Sequence, residues 1–217
     1  PIFAHYRKRA GCGLEACPHT TLVIAWLAGQ ETTLILPDYD LHAAPVLDFS
    51  VESIEFGDIA HTQDPGIWTD AVFTRMRYLG ADTGLGRYDE ARPWYTAPAF
   101  RSDGLERDEW RTVHIGVDVF AVAGTSVSAP LSGIVHSVHD NAGPLDYGPT
   151  IILRHDAGGI PFYTLYGHLS RESLHIVRPG QHVEAGQRIA TLGDATVNGG
   201  WAPHLPFQII TDLLGRS

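Results

Sequence analysis

Residues 177–193 read VRPGQHVEAGQRIATLG, and this segment gives the clearest indication of the fold class. Two short candidate strands, 181–184 and 187–192, meet around Glu184-Ala185-Gly186, and Gly180 and Gly193 provide further breaks. Short β-prone runs bounded by glycine are typical of paired strands. The segment therefore predicts two strands that pair around its central turn.

The same sequence pattern continues through the C-terminal half of the chain. From about residue 109, short β-prone runs alternate with Gly, Pro and Asn at intervals of about ten residues, which is typical of an all-β domain. We predict a mainly β fold over residues 109–217, with an antiparallel barrel-like or sandwich-like sheet. The candidate strands are 112–120, 132–139, 149–155, 161–168, 174–178, 181–184, 187–192 and 204–211.

Residues 1–108 predict an N-terminal extension of mixed α/β structure. A helix is expected at 20–29, a strand at 32–36, and one or two strands within 45–59. The Gly- and Pro-rich residues 80–108 predict a long connecting segment. We place the domain boundary near residue 108.

The composition narrows the classes of function. The 217 residues carry 15 basic and 25 acidic side chains, a net charge of -10, and this argues against nucleic acid and anionic membranes as partners. Twelve histidines stand beside a single lysine, Lys8. Because a biotinyl or lipoyl carrier domain needs an acceptor lysine in its β-rich part, that class is excluded.

Histidine and aspartate are common zinc ligands, and His114 and Asp118 are four residues apart. In a straight strand they would lie about 13 Å apart, at roughly 3.3 Å per residue, which is too far for both to bind one ion. If they are co-ligands, the chain must bend between them, and Gly116 permits such a bend. Taken alone, this pair is also compatible with two ordinary polar residues at the start of a strand.

Two further histidines stand in strand contexts. His168 follows the apolar run FYTLY and, alone, is compatible with a surface residue before a turn. His204, Pro206 and Gln208 share one face of a candidate strand, whereas Leu205 and Phe207 point into the core. Pro206 lacks a backbone donor, which predicts an edge strand or a strand start.

Together, HIGVD at 114–118, YGHL at 166–169 and PHLPFQ at 203–208, with GQHVEAGQRIATLG before the last, resemble the lysostaphin-type or LytM-like zinc metallopeptidases. Many members of that family are peptidoglycan endopeptidases. The resemblance covers residues 112–211 and implies a LytM-like fold of the duplicated hybrid motif type. It implies that His114 and Asp118 bind zinc, and that His168 and His204 activate water and stabilise the transition state.

The sequence departs from the family pattern at Pro206. The family has its third zinc ligand there, a histidine, and proline offers no donor atom. We therefore expect zinc to bind weakly or not at all. A substitute ligand remains open, either one of His136, His139 and His155 or an acidic residue of the N-terminal half.

Two functions follow from this departure. The first is a degenerate LytM-like domain that serves as a binding or structural module of a larger protein, with a peptide or peptidoglycan-like ligand, or other domains of the same polypeptide, as partners. The alternative is an active zinc metalloendopeptidase that cleaves peptidoglycan-type peptide bonds with a substitute third ligand.

The N-terminal half, with CGLEACP at 12–18, also resembles the linker before such a module in bacterial proteins that contain a kinase-like and a class III aminotransferase domain. That context implies a cytoplasmic location, whereas the exported peptidases of the family imply a periplasmic or extracellular one. Because the sequence shows no signal segment, we expect the cytoplasm and keep the other compartments as the alternative.

Overall fold

The computed structural model describes residues 18–56, 64–93, 95, 100 and 111–213. Lys8 and the predicted boundary near residue 108 lie outside these residues. The boundary therefore stays a prediction.

The described residues form two α-helices, one 3-10 helix and twelve strands. The helices are α1 (Pro18–Leu27) and α2 (Pro65–Tyr78), and the 3-10 helix is Arg171–His175. In chain order the strands are β1 (Val46–Leu47), β2 (Gly84–Gly86), β3 (Glu90–Ala91), β4 (Val113–His114), β5 (Val117–Phe120), β6 (Ser126–Ser128), β7 (Gly133–Asn141), β8 (Gly148–Asp156), β9 (Pro161–Tyr166), β10 (His182–Val183), β11 (Arg188–Thr191) and β12 (His204–Ile210).

Eight of these strands form one sheet, in the order β1-β2-β5-β12-β9-β8-β7-β10. Every pairing in it is antiparallel except β1 with β2. Two small sheets, β11 with β6 and β3 with β4, accompany it. The predicted mainly β, antiparallel architecture is confirmed.

The segment at 177–193 forms two strands, but they do not pair with each other as predicted. β10 pairs with β7, whereas β11 pairs with β6 in the second sheet. Gly186 has a φ of 81° and donates its N–H to the Ala129 carbonyl at 2.8 Å. Its left-handed conformation, which glycine adopts without strain, turns the chain from one sheet to the other.

Three apolar clusters hold the described elements together, and the smallest packs Val23 of α1 with Phe162 of β9. The largest one lies on the C-terminal sheets and includes Ile151, Tyr166, Leu192 and Leu205, each almost fully buried. The second joins β1 and α2 to Phe120 of β5. Burial of one large apolar side chain contributes about 1.5–3 kcal/mol, so this second cluster firmly anchors the N-terminal half against β5.

Several local predictions need correction. Residues 32–36 form no strand, although Ile35 accepts a bond from Ser128 N. Residues 174–178 also form no strand, because they include the end of the 3-10 helix and the residues that follow it. Within that helix the buried Ser173 hydroxyl accepts a bond from Thr191 N. Residues 80–108 are more than a connection, because they contribute β2 and β3.

The helices agree only in part with expectation. The predicted helix at 20–29 is confirmed as α1, whereas α2 was not predicted. Its N-terminus is set by Asp64, whose carboxylate accepts bonds from Gly66 N and Ile67 N. No helix among the described residues has the length and apolar character needed to span a membrane.

Candidate functional site

A pocket opens where the N-terminal half meets β5 and β12. Its volume of about 90 Å³ is enough for several water molecules or one side chain. Its lining contains the four predicted site residues, His114, Asp118, His168 and His204, and is otherwise largely aromatic. The aromatic lining residues are Phe49, Trp68, Tyr95, Phe100, Phe120, Tyr147 and Trp201.

The predicted bend brings His114 and Asp118 together. The strand is interrupted after His114 and resumes at Val117, so His114 Nε2 lies 3.3 Å from Asp118 Oδ1. Glycine is required at 116 because a Cβ there would lie 2.9 Å from Gln208 Cγ. Its role is close packing against β12.

The other two histidines complete the cluster. His204 Nε2 lies 3.6 Å from Asp118 Oδ1, and the His168 and His204 rings are 4.5 Å apart. His204 donates Nδ1–H to the Ala202 carbonyl at 2.7 Å, and His168 donates Nδ1–H to the Tyr147 carbonyl at 3.1 Å. Since a carbonyl can only accept, each ring carries its lone pair on Nε2.

His168 has a left-handed backbone, with a φ of 54°. Histidine seldom adopts this conformation. Backbone bonds hold it in place, since His168 N donates to Tyr147 O at 2.8 Å and Gly193 N donates to His168 O at 2.9 Å. Such strain is often found at functional sites.

Pro206 lies directly opposite Asp118 in the ladder between β12 and β5. The predicted division of faces is confirmed, because Leu205 is fully buried in the core and Pro206 lines the pocket. Of the two predicted positions, the edge strand is wrong because β12 is central in the sheet, and Pro206 lies near the strand start as the third residue of β12. The Pro206 carbonyl accepts a bond from Gly167 N, which lies just beyond the end of β9 at Tyr166. Because β9 has already ended there, the missing N–H of Pro206 interrupts no ladder bond between β12 and β9.

A residue that sequence reasoning missed, Arg92, reaches Asp118 from the N-terminal half. Its Nη1 donates to Asp118 Oδ2 at 2.6 Å, and its Nε donates to Glu90 Oε2 at 2.9 Å. All three side chains are almost fully buried. Strand periodicity places Glu90 and Arg92 on one face, but nothing in the sequence links them to Asp118.

Tyr95 connects this ion pair to His114. Its hydroxyl lies 2.9 Å from His114 Nδ1 and 3.3 Å from Arg92 Nη1, which donates to it. Arg92, Asp118, His114 and Tyr95 thus form a closed ring of polar contacts.

The charges in the site follow from burial and this ion pair. Burial acts to raise the pKa of Asp118, but the Arg92 guanidinium, with smaller effects of His204 and His114, holds that pKa well below its ordinary value. Burial lowers the pKa of both His168 and His204 and raises the pKa of Tyr147 to about 12. At neutral pH the site therefore contains an ionised Asp118 and two uncharged histidines.

The donor atoms match a zinc site only in part. His114 Nε2 and Asp118 Oδ1 are buried without a hydrogen-bond partner, as two ligand atoms would be. The third position is Pro206, and a guanidinium binds the other oxygen of Asp118. Within the described residues, no group of three or more His, Cys, Asp or Glu side chains could hold a metal ion. The residues present do not fit a normal three-ligand zinc site.

Among the residues that the structure describes, the substitute ligands considered from sequence do not reach the pocket. His136, His139 and His155 are absent from its described lining. Both ring nitrogens of His155 are engaged elsewhere, by Ser132 O and the Thr164 hydroxyl. The acidic residue that the N-terminal half brings nearby, Glu90, binds Arg92 instead.

Comparison with known proteins identifies the C-terminal part of the chain. Residues 112–214 match the model of peptidase family M23. A Haemophilus influenzae protein described as an uncharacterized metalloprotease is 39% identical over 95 residues, which are 44% of this chain and 18% of that protein. This chain thus aligns with only 18% of the length of that relative.

Solved structures of similar proteins include two peptidases. The catalytic domain of the antimicrobial peptidase lysostaphin from Staphylococcus simulans is 26% identical; the match covers 63% of this chain and 86% of that chain, with a TM-score of 0.44. A zinc-containing peptidase from Vibrio cholerae is 25% identical; the match covers 51% and 31%, with a TM-score of 0.39. The family assignment of residues 112–214 rests on the sequence match.

Proposed function

Residues 112–214 form a peptidase family M23 domain, and from that premise we propose that in this chain the domain binds a peptide ligand without catalysing zinc-dependent hydrolysis. One observation carries the proposal. Pro206 occupies the position opposite Asp118 at which the resemblance requires a third zinc ligand. A catalytic zinc needs three protein ligands and one open position, and two do not suffice.

The pocket supports a peptide or peptidoglycan-like ligand. Uncharged His168 and His204 each present an Nε2 lone pair that can accept a bond from an amide N–H. Aromatic residues such as Trp201 and Tyr147 provide apolar contact for one side chain or one chain end of such a ligand, which is what the pocket volume admits. A few polar groups in an apolar pocket are typical of a ligand-binding site.

The alternative, an active zinc metalloendopeptidase, is favoured by one feature. His114 Nε2 and Asp118 Oδ1 lie 3.3 Å apart without a hydrogen-bond partner, and His204 Nε2 lies 3.6 Å from Asp118 Oδ1. His204 would then have to act as the third ligand, and it would no longer be available for a catalytic role. The proposal of a binding module avoids this conflict.

Elemental analysis distinguishes the two functions. The protein is purified without chelator, its zinc content is measured, and its binding to insoluble peptidoglycan and to short muropeptides is followed by sedimentation and tryptophan fluorescence. We expect substoichiometric zinc and binding that persists in EDTA. Ala202→Trp, which fills the pocket wall, should reduce binding, whereas the exposed substitution Arg188→Met should not. Stoichiometric zinc with EDTA-sensitive release of peptide fragments would establish the alternative.

The wider context is also proposed. We propose that the domain works within a larger polypeptide, and that an aminotransferase fusion and a cytoplasmic location are its setting. Support comes from the resemblance of the N-terminal half to a linker region. Fractionation of cells followed by mass measurement of the native protein tests both points, and recovery in the periplasm or medium would contradict the cytoplasmic location.

A further inference from the structure

We propose that the Arg92 guanidinium takes the place of the metal as the cation that balances Asp118. The N-terminal half then supplies the positive charge that a zinc ion would supply in an M23 site. This inference deepens the proposed function and rests on it. It explains how the buried Asp118 is tolerated in a site that lacks a third zinc ligand.

The contacts of Arg92 are those of a built-in cation. Its side chain is only 6% exposed, and Asp118 and Glu90 are each 1% exposed. Nη1 binds Asp118 and Nε binds Glu90, so one guanidinium holds two buried carboxylates together. Buried charges persist in proteins when they are paired in this way.

Both buried carboxylates have a cationic partner without a metal. Arg92 binds Asp118 and Glu90, and the half-exposed Arg87, which also pairs with Asp48, places its Nε 3.1 Å from Glu90 Oε1. A zinc ion on Asp118 Oδ1 would add two positive charges beside a guanidinium that binds the other oxygen of the same carboxylate. Repulsion between like charges in this buried site opposes metal binding.

The surrounding structure makes room for the guanidinium. A Cβ at Gly86 would lie 2.8 Å from Arg92 Nη2 and 3.1 Å from Asp118 Cβ, so the absence of a side chain there is required. The Arg92 guanidinium carbon also lies 5.3 Å from the centre of the Phe49 ring. Phe49 in turn donates its N–H to Glu90 Oε1 at 3.1 Å. The position of Arg92 is therefore fixed from several sides.

The proposal predicts that restoring the third ligand alone does not restore the metal site. The full chain carrying Pro206→His is compared with the same chain carrying Glu90→Gln and Arg92→Met in addition. Cobalt(II) binding is followed by its visible absorption and by calorimetry. We expect the triple variant to bind cobalt about 10- to 100-fold more tightly than Pro206→His alone, the range over which neighbours of metal ligands change affinity.

Matched variants isolate the charge of Arg92. Pro206→His with Glu90→Gln should remain a weak binder, and Pro206→His with Arg188→Met, which removes an exposed arginine of β11, should match Pro206→His. Equal cobalt affinity with and without Arg92 would overturn the inference and leave the proposed function standing. Stoichiometric zinc in the unmodified protein would instead overturn the proposed function.

A stability measurement covers the case in which the triple variant does not fold. We expect the midpoint of thermal unfolding of the unmodified chain to be the same in EDTA and in zinc. Arg92→Lys, which keeps the positive charge, should lower it less than Arg92→Met. If the two substitutions lower it equally, the role of Arg92 is packing and the inference fails.

Discussion

Arg92 Nη1 and Asp118 Oδ2 lie 2.6 Å apart, and both side chains are almost fully buried. Arg92 comes from the N-terminal half and Asp118 from the M23 domain. Their ion pair therefore links the stability of one half of the chain to the charge of the candidate site in the other.

Substitution of Arg92 should lower the free energy of unfolding more than substitution of Asp118. Arg92→Met leaves Asp118 buried without its cation and Glu90 with only the half-exposed Arg87, and removing one partner of a buried pair costs about 3–5 kcal/mol. Asp118→Asn leaves Arg92 with Glu90, so we expect only the loss of a charged hydrogen bond, about 1.5–3 kcal/mol. Urea unfolding at neutral pH measures both.

The more exposed ion pair of Arg87 with Asp48 provides the control. Both of its side chains are more than 40% exposed. Asp48→Asn should therefore cost less than about 1 kcal/mol. A smaller loss for Arg92→Met than for Asp118→Asn would contradict the assignment of Arg92 as the shared partner of two carboxylates.

Gly86→Ala should disturb the same pair through sterics alone. The added methyl would lie 2.8 Å from Arg92 Nη2 and 3.2 Å from Asp118 Oδ2, closer than van der Waals contact. Overpacking of this kind typically costs about 1–3 kcal/mol. In Gly29→Ala the new Cβ meets only Trp26 O at an ordinary 3.6 Å, so we expect a change within about 0.5 kcal/mol. Chemical denaturation of both variants tests this, and equal losses would exclude a steric effect specific to Gly86.

Sequence predicted the elements whose signal is local. The bend between His114 and Asp118 follows from strand geometry once the two residues are taken to share one ion, and the shared face of His204 and Pro206 follows from strand periodicity; the structure has both. The convergence of His168 with His204 was expected only through the family resemblance. Periodicity gives the face of a residue but not its neighbour in the next strand.

Arg92 could not be found in this way because its partner is 26 positions away in another strand. The segment that carries it is rich in Gly and Pro and resembles a connecting loop. The pairing of β10 with β7 was missed for the same reason, since a turn at Gly186 can return the chain to its neighbour or pass it to a second sheet. Long-range pairing depends on the whole core, which a local pattern does not contain.

His155 lies outside the candidate site, and its titration should make the stability of the fold depend on pH. Burial lowers its pKa below the ordinary value of 6.5, so the unfolded chain binds the proton more readily than the folded chain. Stability therefore rises with pH through the window below 6.5 and is lost as the pH falls. We expect the difference in unfolding free energy between the unmodified protein and His155→Gln to shrink between about pH 7 and pH 5. A difference that stays constant over this range would show that His155 does not titrate differently in the two states.

The left-handed backbone of His168 should reverse the usual order of two small substitutions. Glycine adopts a φ of 54° without strain, whereas alanine at a positive φ is destabilised by about 1 kcal/mol. Both substitutions remove the same contacts of the imidazole with Tyr147 and His204, so those losses cancel in the comparison. We therefore expect His168→Gly to be more stable than His168→Ala by about 1 kcal/mol in urea unfolding. At Ser170, where φ is -69°, the same pair of substitutions should show the opposite order, because there alanine is unstrained and glycine has more conformational freedom to lose. If alanine is the more stable residue at both positions, His168 is not held in the left-handed conformation in solution.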